Sequence, residues 1–186
     1  MKSATWSIIL CAAMIVASGC ASTSLTGYTD PAFEGRSYQN VAVYVETHDL
    51  GDRQALEYAI AKYASNWELR VFPTIELLPP TRAVDRQIVM EAMRANGYDA
   101  VLYVRMTDAG SQQGIGTMNM GAGPSVYSYT TLHAEFDAIL VEVESGGTIW
   151  QSSSDSSTSD IGSWNDLLNS YANTVIKDLK KKGLII

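Results

Sequence analysis

The chain has 186 residues, a length that suits one domain with a sizeable core. Its formal net charge of −7 disfavours nucleic-acid binding and gives no general attraction to anionic lipid. Its two cysteines, Cys11 and Cys20, both lie near the N-terminus, which excludes a disulfide or a thiolate metal site in the body of the chain.

The first residues have the pattern of a secretory signal peptide. Lys2 supplies a positive charge, and residues 8–16 form an apolar stretch that is too short to cross a bilayer. The sequence Ala-Ser-Gly-Cys that ends at Cys20 resembles the lipobox of bacterial lipoproteins, although Ala17 stands where leucine is commoner. The resemblance implies removal of residues 1–19 and acylation of Cys20. Because the next residue is not aspartate, it also implies the periplasmic face of the outer membrane, with the lipid as the membrane contact.

Residues 20–40 are predicted to be a flexible, lipidated tether. They are rich in Ser, Thr, Gly and Tyr and contain Pro31, a composition that is too polar and aperiodic for a helix. We expect them to span the distance between the lipid and a folded domain at residues 41–186.

The first half of that domain has a repeating strand and helix pattern. Apolar runs predict buried strands at 41–46, 68–74 and 100–107. Apolar stripes with helical spacing lie between these runs, at Leu56, Ala59, Ile60 and Tyr63 and again at Val84, Ile88, Ala92 and Ala95. The order β-α-β-α-β predicts parallel strands joined by right-handed crossovers.

The second half predicts an antiparallel hairpin and a final helix. Strands are expected at 131–144 and 148–153, and Gly146 and Gly147 form the turn between them. The helix begins near Ser163, and its predicted core face consists of Trp164, Leu167, Leu168, Tyr171, Val175 and Leu179. The fold class is therefore α/β of a mixed α+β kind, in a single domain with about five strands and three helices.

A short motif resembles a group of envelope lipoproteins. The segment 96–102, Asn-Gly-Tyr-Asp-Ala-Val-Leu, is similar to the Gly-x-Asp-Ala-Val/Leu-Leu/Val step of the curli-secretion-channel family, of activators of penicillin-binding proteins, and of small lipoproteins of unknown function. The resemblance extends over about residues 40–182. It implies a periplasmic α/β domain that assembles or docks with other proteins and has no enzyme chemistry.

The two histidines are the candidates for chemistry. His48 follows the first predicted strand, where many α/β sites form, but a polar loop residue is the favoured interpretation. His133 alternates with Glu135 and Asp137 on one strand face, and a spacing of about 7 Å is wide for one metal ion. A solvated strand face is favoured there. No nucleophile elbow and no phosphate loop occur in the sequence, so no catalytic residue, cofactor or metal is predicted.

The glycine-rich insertion at 109–130 is the unusual segment of the domain. It has no formal charge and contains Met118, Met120, Tyr127 and Tyr129. A mobile surface loop, a β-hairpin that extends the sheet or binds a partner, and a membrane-contacting segment are its three interpretations. If the domain is a binding module, those four side chains are the predicted partner contacts.

Together these features predict a non-catalytic, outer-membrane-anchored periplasmic lipoprotein that binds or assembles envelope proteins. The expected partner is an envelope protein, and no nucleic acid is expected. One alternative is a periplasmic hydrolase or metal-dependent enzyme that uses His48 or His133. Another is an envelope component that self-assembles into a homo-oligomer, with the 109–130 segment pairing between copies.

Overall fold

The structure is a computed structural model that describes residues 21–47, 49–78, 84–119, 124–159 and 161–186. Its sheet has six strands: β1 (Ser22–Thr29), β2 (Asn40–Glu46), β3 (Arg70–Pro73), β4 (Ala100–Asn119), β5 (Pro124–Glu142) and β6 (Thr148–Ser157). Across the same residues there are three α-helices: α1 (Leu50–Ser65), α2 (Arg86–Ala95) and α3 (Trp164–Lys181).

The strands lie in the order β1-β6-β5-β4-β2-β3. As predicted, β2 pairs in parallel with β3 and with β4. The remaining neighbours, β4 with β5, β5 with β6 and β6 with β1, are antiparallel. The mixed α+β class is therefore confirmed, with six strands instead of about five.

Helices α1 and α3 pack together on one face of the sheet. Alternate residues of β2, namely Val41, Val43 and Val45, point to these helices and are buried. Along α3 the predicted core face is confirmed: five of its six residues are buried, and Trp164 is partly buried. The Tyr171 ring stacks on Phe136 of β5 with a centroid distance of 4.1 Å.

Helix α2 packs on the opposite face against a smaller apolar cluster. Ala42 and Val101 contribute from the sheet, and Val89 and Met93 contribute from the helix. The Asp85 carboxylate accepts a hydrogen bond from the Ile88 amide at the helix N-terminus. At the other end, Gly97 has φ +74, the left-handed conformation that glycine adopts at low cost.

A buried ion pair fastens α1 to the sheet. Arg53 donates to Glu57 over 2.9 Å, and neither side chain is more than 7% exposed. Glu57 also accepts from the backbone amides of Val45 in β2, over 3.2 Å, and of Ile75 just after β3, over 2.7 Å. Every charge in this cluster is therefore compensated where α1 crosses the ends of two strands.

The predicted tether at 20–40 is wrong for the part that forms β1. Residues 22–29 pair along their whole length with β6. Leu25 packs against the core, and the Thr23 hydroxyl lies 2.9 Å from both the Ser156 and the Ser170 hydroxyls. Hydroxyl groups that bond to one another can be buried, so a polar sequence forms a half-buried strand here.

The hairpin formed by β4 and β5 is much longer than the predicted strands at 100–107 and 131–144. The two strands stay in register from the Ala100 and Glu142 pair to the Asn119 and Pro124 pair, with one irregularity between Met106 and Asp108. The insertion at 109–130 is thus a β-hairpin in its described part, not a loop.

Candidate binding surface

Among the residues that the structure describes, one face of the sheet is covered by a helix at only one end. Helix α2 packs over the beginning of β4 and the end of β5, and outward-pointing side chains of five strands lie beyond it. Cross-strand pairing places these side chains in rows. One row consists of Tyr28, Gln151, Ile139, Tyr103 and Tyr44, and the next consists of Thr26, Ser153, Asp137, Arg105 and Glu46. We call these ten residues the uncovered face.

Polar side chains of the uncovered face are held by short contacts. Arg105 donates to Glu46 over 2.9 Å, and both side chains are more than half exposed. The Ser153 hydroxyl donates to Asp137 over 2.7 Å. These pairs fix the side-chain positions, although surface ion pairs of this kind contribute little to stability.

A groove of about 350 Å³ opens where the uncovered face meets the N-terminus of α2. Tyr44 and Tyr103 form its aromatic side, with ring centroids 5.8 Å apart. The Arg86 guanidinium lies 5.3 Å from the centroid of the Tyr103 ring. Burial raises the pKa of the Tyr103 phenol to about 12, so this group is a neutral hydrogen-bond donor at ordinary pH.

The long hairpin continues beyond the last contact that its base makes with β6. Leu132 and Thr158 exchange hydrogen bonds of 2.9 Å and 3.1 Å at this boundary. Past it, residues 112–119 pair with residues 124–131 alone. We call these two segments the ribbon. A two-stranded ribbon is marginally stable by itself. No other strand of the described residues pairs with either edge of the ribbon, so its backbone is suited to contact with a partner or a membrane.

Three glycines along the hairpin are each covered by a ring from the opposite strand. Gly110 faces His133, Gly114 faces Tyr129, and Gly116 faces Tyr127. A Cβ added to Gly116 would lie 2.6 Å from Cζ of Tyr127, and one added to Gly110 would lie 2.8 Å from Cε1 of His133. The glycines therefore leave the space in which the rings lie flat on the strand.

The structure brings two of the predicted contact residues together. The rings of Tyr127 and Tyr129 are 6.0 Å apart, on the same side of the hairpin as the uncovered face. Met118 belongs to β4. Met120 and the predicted acylation site Cys20 lie outside the described residues.

Of the two histidines, His48 also lies outside the described residues. His133 Nε2 is 3.3 Å from Oδ2 of Asp108, and the ring covers Gly110 at the base of the ribbon. Within the described ranges, no group of three or more His, Cys, Asp or Glu side chains is close enough to hold a metal ion.

Sequence reasoning favoured a solvated strand face at His133, Glu135 and Asp137, but it did not find the other residues of the uncovered face, of which only Asp137 is a member. The members of the uncovered face come from five strands that are far apart in the chain, as in the neighbouring pairs Glu46 with Arg105 and Asp137 with Ser153. The available signal was the alternation of apolar and polar residues in β5, where Phe136 is buried between the exposed Glu135 and Asp137, which marks one solvated face of a sheet.

Comparison with known proteins shows a shared fold. No family model and no curated protein matches the chain. A structure described as a PelC dodecamer from Paraburkholderia phytofirmans is similar with a TM-score of 0.52 and 15% identity, over 87% of this chain and 98% of that chain. A point variant of the same dodecamer gives a TM-score of 0.52 and 16% identity, over 87% of this chain and 97% of that chain.

A third structure, lipoprotein GNA1162 from Neisseria meningitidis, has a TM-score of 0.48 and 21% identity, over 76% of this chain and 98% of that chain. The two dodecamer structures, at 15% and 16% identity, show a common fold and nothing about activity. Across the described residues, no helix is both long and apolar enough to span a membrane.

Proposed function

We propose that the chain is a non-catalytic lipoprotein, anchored on the periplasmic face of the outer membrane, that binds or assembles envelope proteins. The observation that supports this most strongly is the uncovered face. It is broad and shallow, it contains three tyrosines among charged and hydroxyl side chains, and it is continuous with the side of the ribbon that displays Tyr127 and Tyr129. Aromatic and arginine side chains on a rigid sheet are typical of protein-binding surfaces.

The anchor is tested by the variant Cys20→Ala. We expect the wild-type protein to have an intact mass that lacks residues 1–19 and includes acyl chains, and to sediment with membranes. Cys20→Ala should be uncleaved or unlipidated and mislocalised, whereas the control Cys11→Ala should behave as wild type. Normal membrane retention of Cys20→Ala would refute the anchor.

The binding function is tested by affinity isolation of the lipoprotein from crosslinked cells. Tyr28→Arg combined with Gln151→Arg places two positive charges on the uncovered face, and we expect it to lose the proteins that the wild type captures. Asn165→Arg is the matched control, because Asn165 is exposed on α3 on the covered side of the sheet. Equal capture by all three proteins would contradict the assignment of this surface.

A second candidate, a self-assembling envelope component, is favoured by one observation. The similar PelC structure from Paraburkholderia phytofirmans, which is matched over 98% of its chain, is a dodecamer. Native mass measurement over a range of concentrations distinguishes the two candidates. A single oligomer that persists on dilution would favour self-assembly, and a monomer that captures a different protein would favour partner binding.

A further inference from the structure

The start of β1 and the base of the ribbon lie at the same end of the molecule. Ser22 pairs with Ser157, Ser157 pairs with His133, and His133 pairs with Gly110. The ribbon begins two residues beyond this row, with the pair Gln112 and Thr131. The chain thus enters the sheet on the side from which the ribbon projects.

The most exposed apolar side chains are found at this end. Ile115 is 78% exposed, Val126 is 71% exposed and Ile161 is 66% exposed, the three highest values among the large hydrophobic side chains that the structure describes. Ile115 pairs with Ser128, and Val126 pairs with Thr117, so Ile115 and Val126 are diagonal neighbours. These pairs alternate with the pairs that contain Tyr127 and Tyr129, so they lie on the opposite side of the ribbon. Ile161 lies in the turn after β6, close to the boundary at Thr158.

The charge distribution separates the ribbon from the rest of an acidic protein. No formal charge occurs between Asp108 and His133, whereas the whole chain has a net charge of −7. Carboxylates do lie at the base of the ribbon, at Asp108, Glu135 and Asp155. Contact with lipid here must therefore be apolar, because these carboxylates disfavour anionic headgroups.

If Cys20 is acylated, the short link from Cys20 to β1 and the length of the ribbon place the ribbon within reach of the bilayer. Only Ala21 separates Cys20 from β1, so the Cα atoms of Cys20 and Ser22 are at most about 8 Å apart. The eight register pairs of the ribbon extend it by roughly 27 Å beyond its base. A lipid held this close to the first residue of β1 places the membrane within the length of the ribbon.

We propose that the ribbon lies against the bilayer to which Cys20 is attached, with Ile115 and Val126 at the boundary between the headgroups and the acyl chains. Tyr127 and Tyr129, on the opposite side of the ribbon, then lie on the polar side of that boundary. Tyrosine and aliphatic side chains are typical of such an interface. The inference depends on the proposed acylation of Cys20. It assigns the side of the ribbon that carries Ile115 and Val126 to the membrane and leaves the uncovered face free for proteins.

The test measures the depth of a fluorescent label in vesicles. The mature lipoprotein is reconstituted into phosphatidylcholine vesicles that contain a nitroxide-labelled phosphatidylcholine. An environment-sensitive fluorophore is attached through Thr117→Cys, an exposed position beside Val126, or through the control Glu144→Cys in the turn between β5 and β6 at the opposite end. We expect the nitroxide to remove most of the emission at 117 and little of it at 144.

Variants distinguish a specific contact from general proximity. Thr117→Cys with Ile115→Asp and Val126→Asp should lose most of the quenching, while Thr117→Cys with Ile186→Asp, a control at the opposite end, should retain it. Equal and weak quenching at 117 and 144 would overturn the proposal. So would weak quenching accompanied by 117-to-117 crosslinks between copies, which would assign the ribbon to self-association.

Intact mass separates the failure of this inference from the failure of the anchor. Acylated protein that shows no quenching at 117 contradicts the ribbon contact and leaves the proposed function intact. Protein without acyl chains contradicts the anchor itself, and its free Cys20 thiol would take up a second label.

Discussion

Glu142, near the end of β5, shows how a single carboxylate can make stability depend on pH. It accepts hydrogen bonds from Ser145 over 2.6 Å, Arg36 over 2.8 Å and Tyr38 over 3.0 Å. The Ser145 hydrogen bond, followed by those from Tyr38 and Arg36, lowers the pKa of the Glu142 carboxyl despite its burial. Because the folded pKa is below the unfolded value, Glu142 stabilises the fold above the unfolded pKa, near 4.3, and that contribution is lost as the pH falls through the folded pKa.

We therefore expect Glu142→Gln to cost about 2 kcal/mol at neutral pH, since hydrogen bonds to a charged group are lost. The deficit should shrink as the pH falls below the unfolded pKa, near 4.3, and through the lower folded pKa, at which the wild-type carboxyl takes up a proton. Denaturant unfolding of both proteins between pH 3 and pH 7 measures this. The control is Glu144→Gln, an exposed neighbour that should show no such trend. A deficit that stayed constant with pH would contradict the assigned role.

Gly116 should tolerate no side chain while Tyr127 covers it. Gly116→Val would usually favour a strand, but its Cβ would meet the Tyr127 ring, so we expect faster amide exchange across the ribbon. The cross-strand ring contact is worth about 0.2–1 kcal/mol, enough to matter in a marginal ribbon. Adding Tyr127→Ala to Gly116→Val removes the clash and should restore much of the protection. If the single and double variants exchanged alike, the ring contact would be irrelevant.

His133 is expected to be dispensable. Its contact with Asp108 is at the surface, and its ring mainly covers Gly110. We predict that His133→Ala melts within a few degrees of wild type and captures the same proteins from crosslinked cells. His133→Ala that folds normally yet loses the cellular function would support the enzyme alternative. His48→Ala makes the parallel test for the other histidine.

At the scale of elements, the Arg53 and Glu57 pair holds α1 on β2 and β3. Arg53→Met should cost about 3 kcal/mol or more, because it leaves the Glu57 carboxylate buried without its cation. Arg53→Met with Glu57→Leu should recover part of this loss, though not all, since the amides of Val45 and Ile75 would lose their acceptor. Chemical denaturation of the three proteins measures the difference. A double variant less stable than Arg53→Met would contradict this role of the pair.

The elements also differ in how far the sequence predicted them. Strands β2 and β4 begin with continuous apolar runs because both of their faces are buried there, and such runs are readable locally. Strand β1 was missed because its inward positions include Thr23, whose burial depends on hydroxyl partners at Ser156 and Ser170. Those partners are more than a hundred residues away, and no local pattern contains them.

The sequence leaves three interpretations of residues 109–130 open for a related reason. The role of each glycine depends on a ring in the facing strand, as Gly114 depends on Tyr129 and Gly116 on Tyr127. The tyrosines could be predicted as contact residues from their chemistry. The register that lays them on glycines, and the alignment of Tyr103 and Asp137 on the uncovered face, follow from the topology of the whole sheet.

At the scale of the whole molecule, the uncovered face is the proposed binding site for an envelope protein. Site-specific photocrosslinking in living cells tests it most directly. A photoreactive amino acid at Gln151, in the middle of that face, should give one discrete adduct whose mass exceeds that of the chain by the mass of a different protein, and the same amino acid at Asn165 on α3 should give none. No adduct from Gln151, or equal adducts from both positions, would contradict binding at the uncovered face.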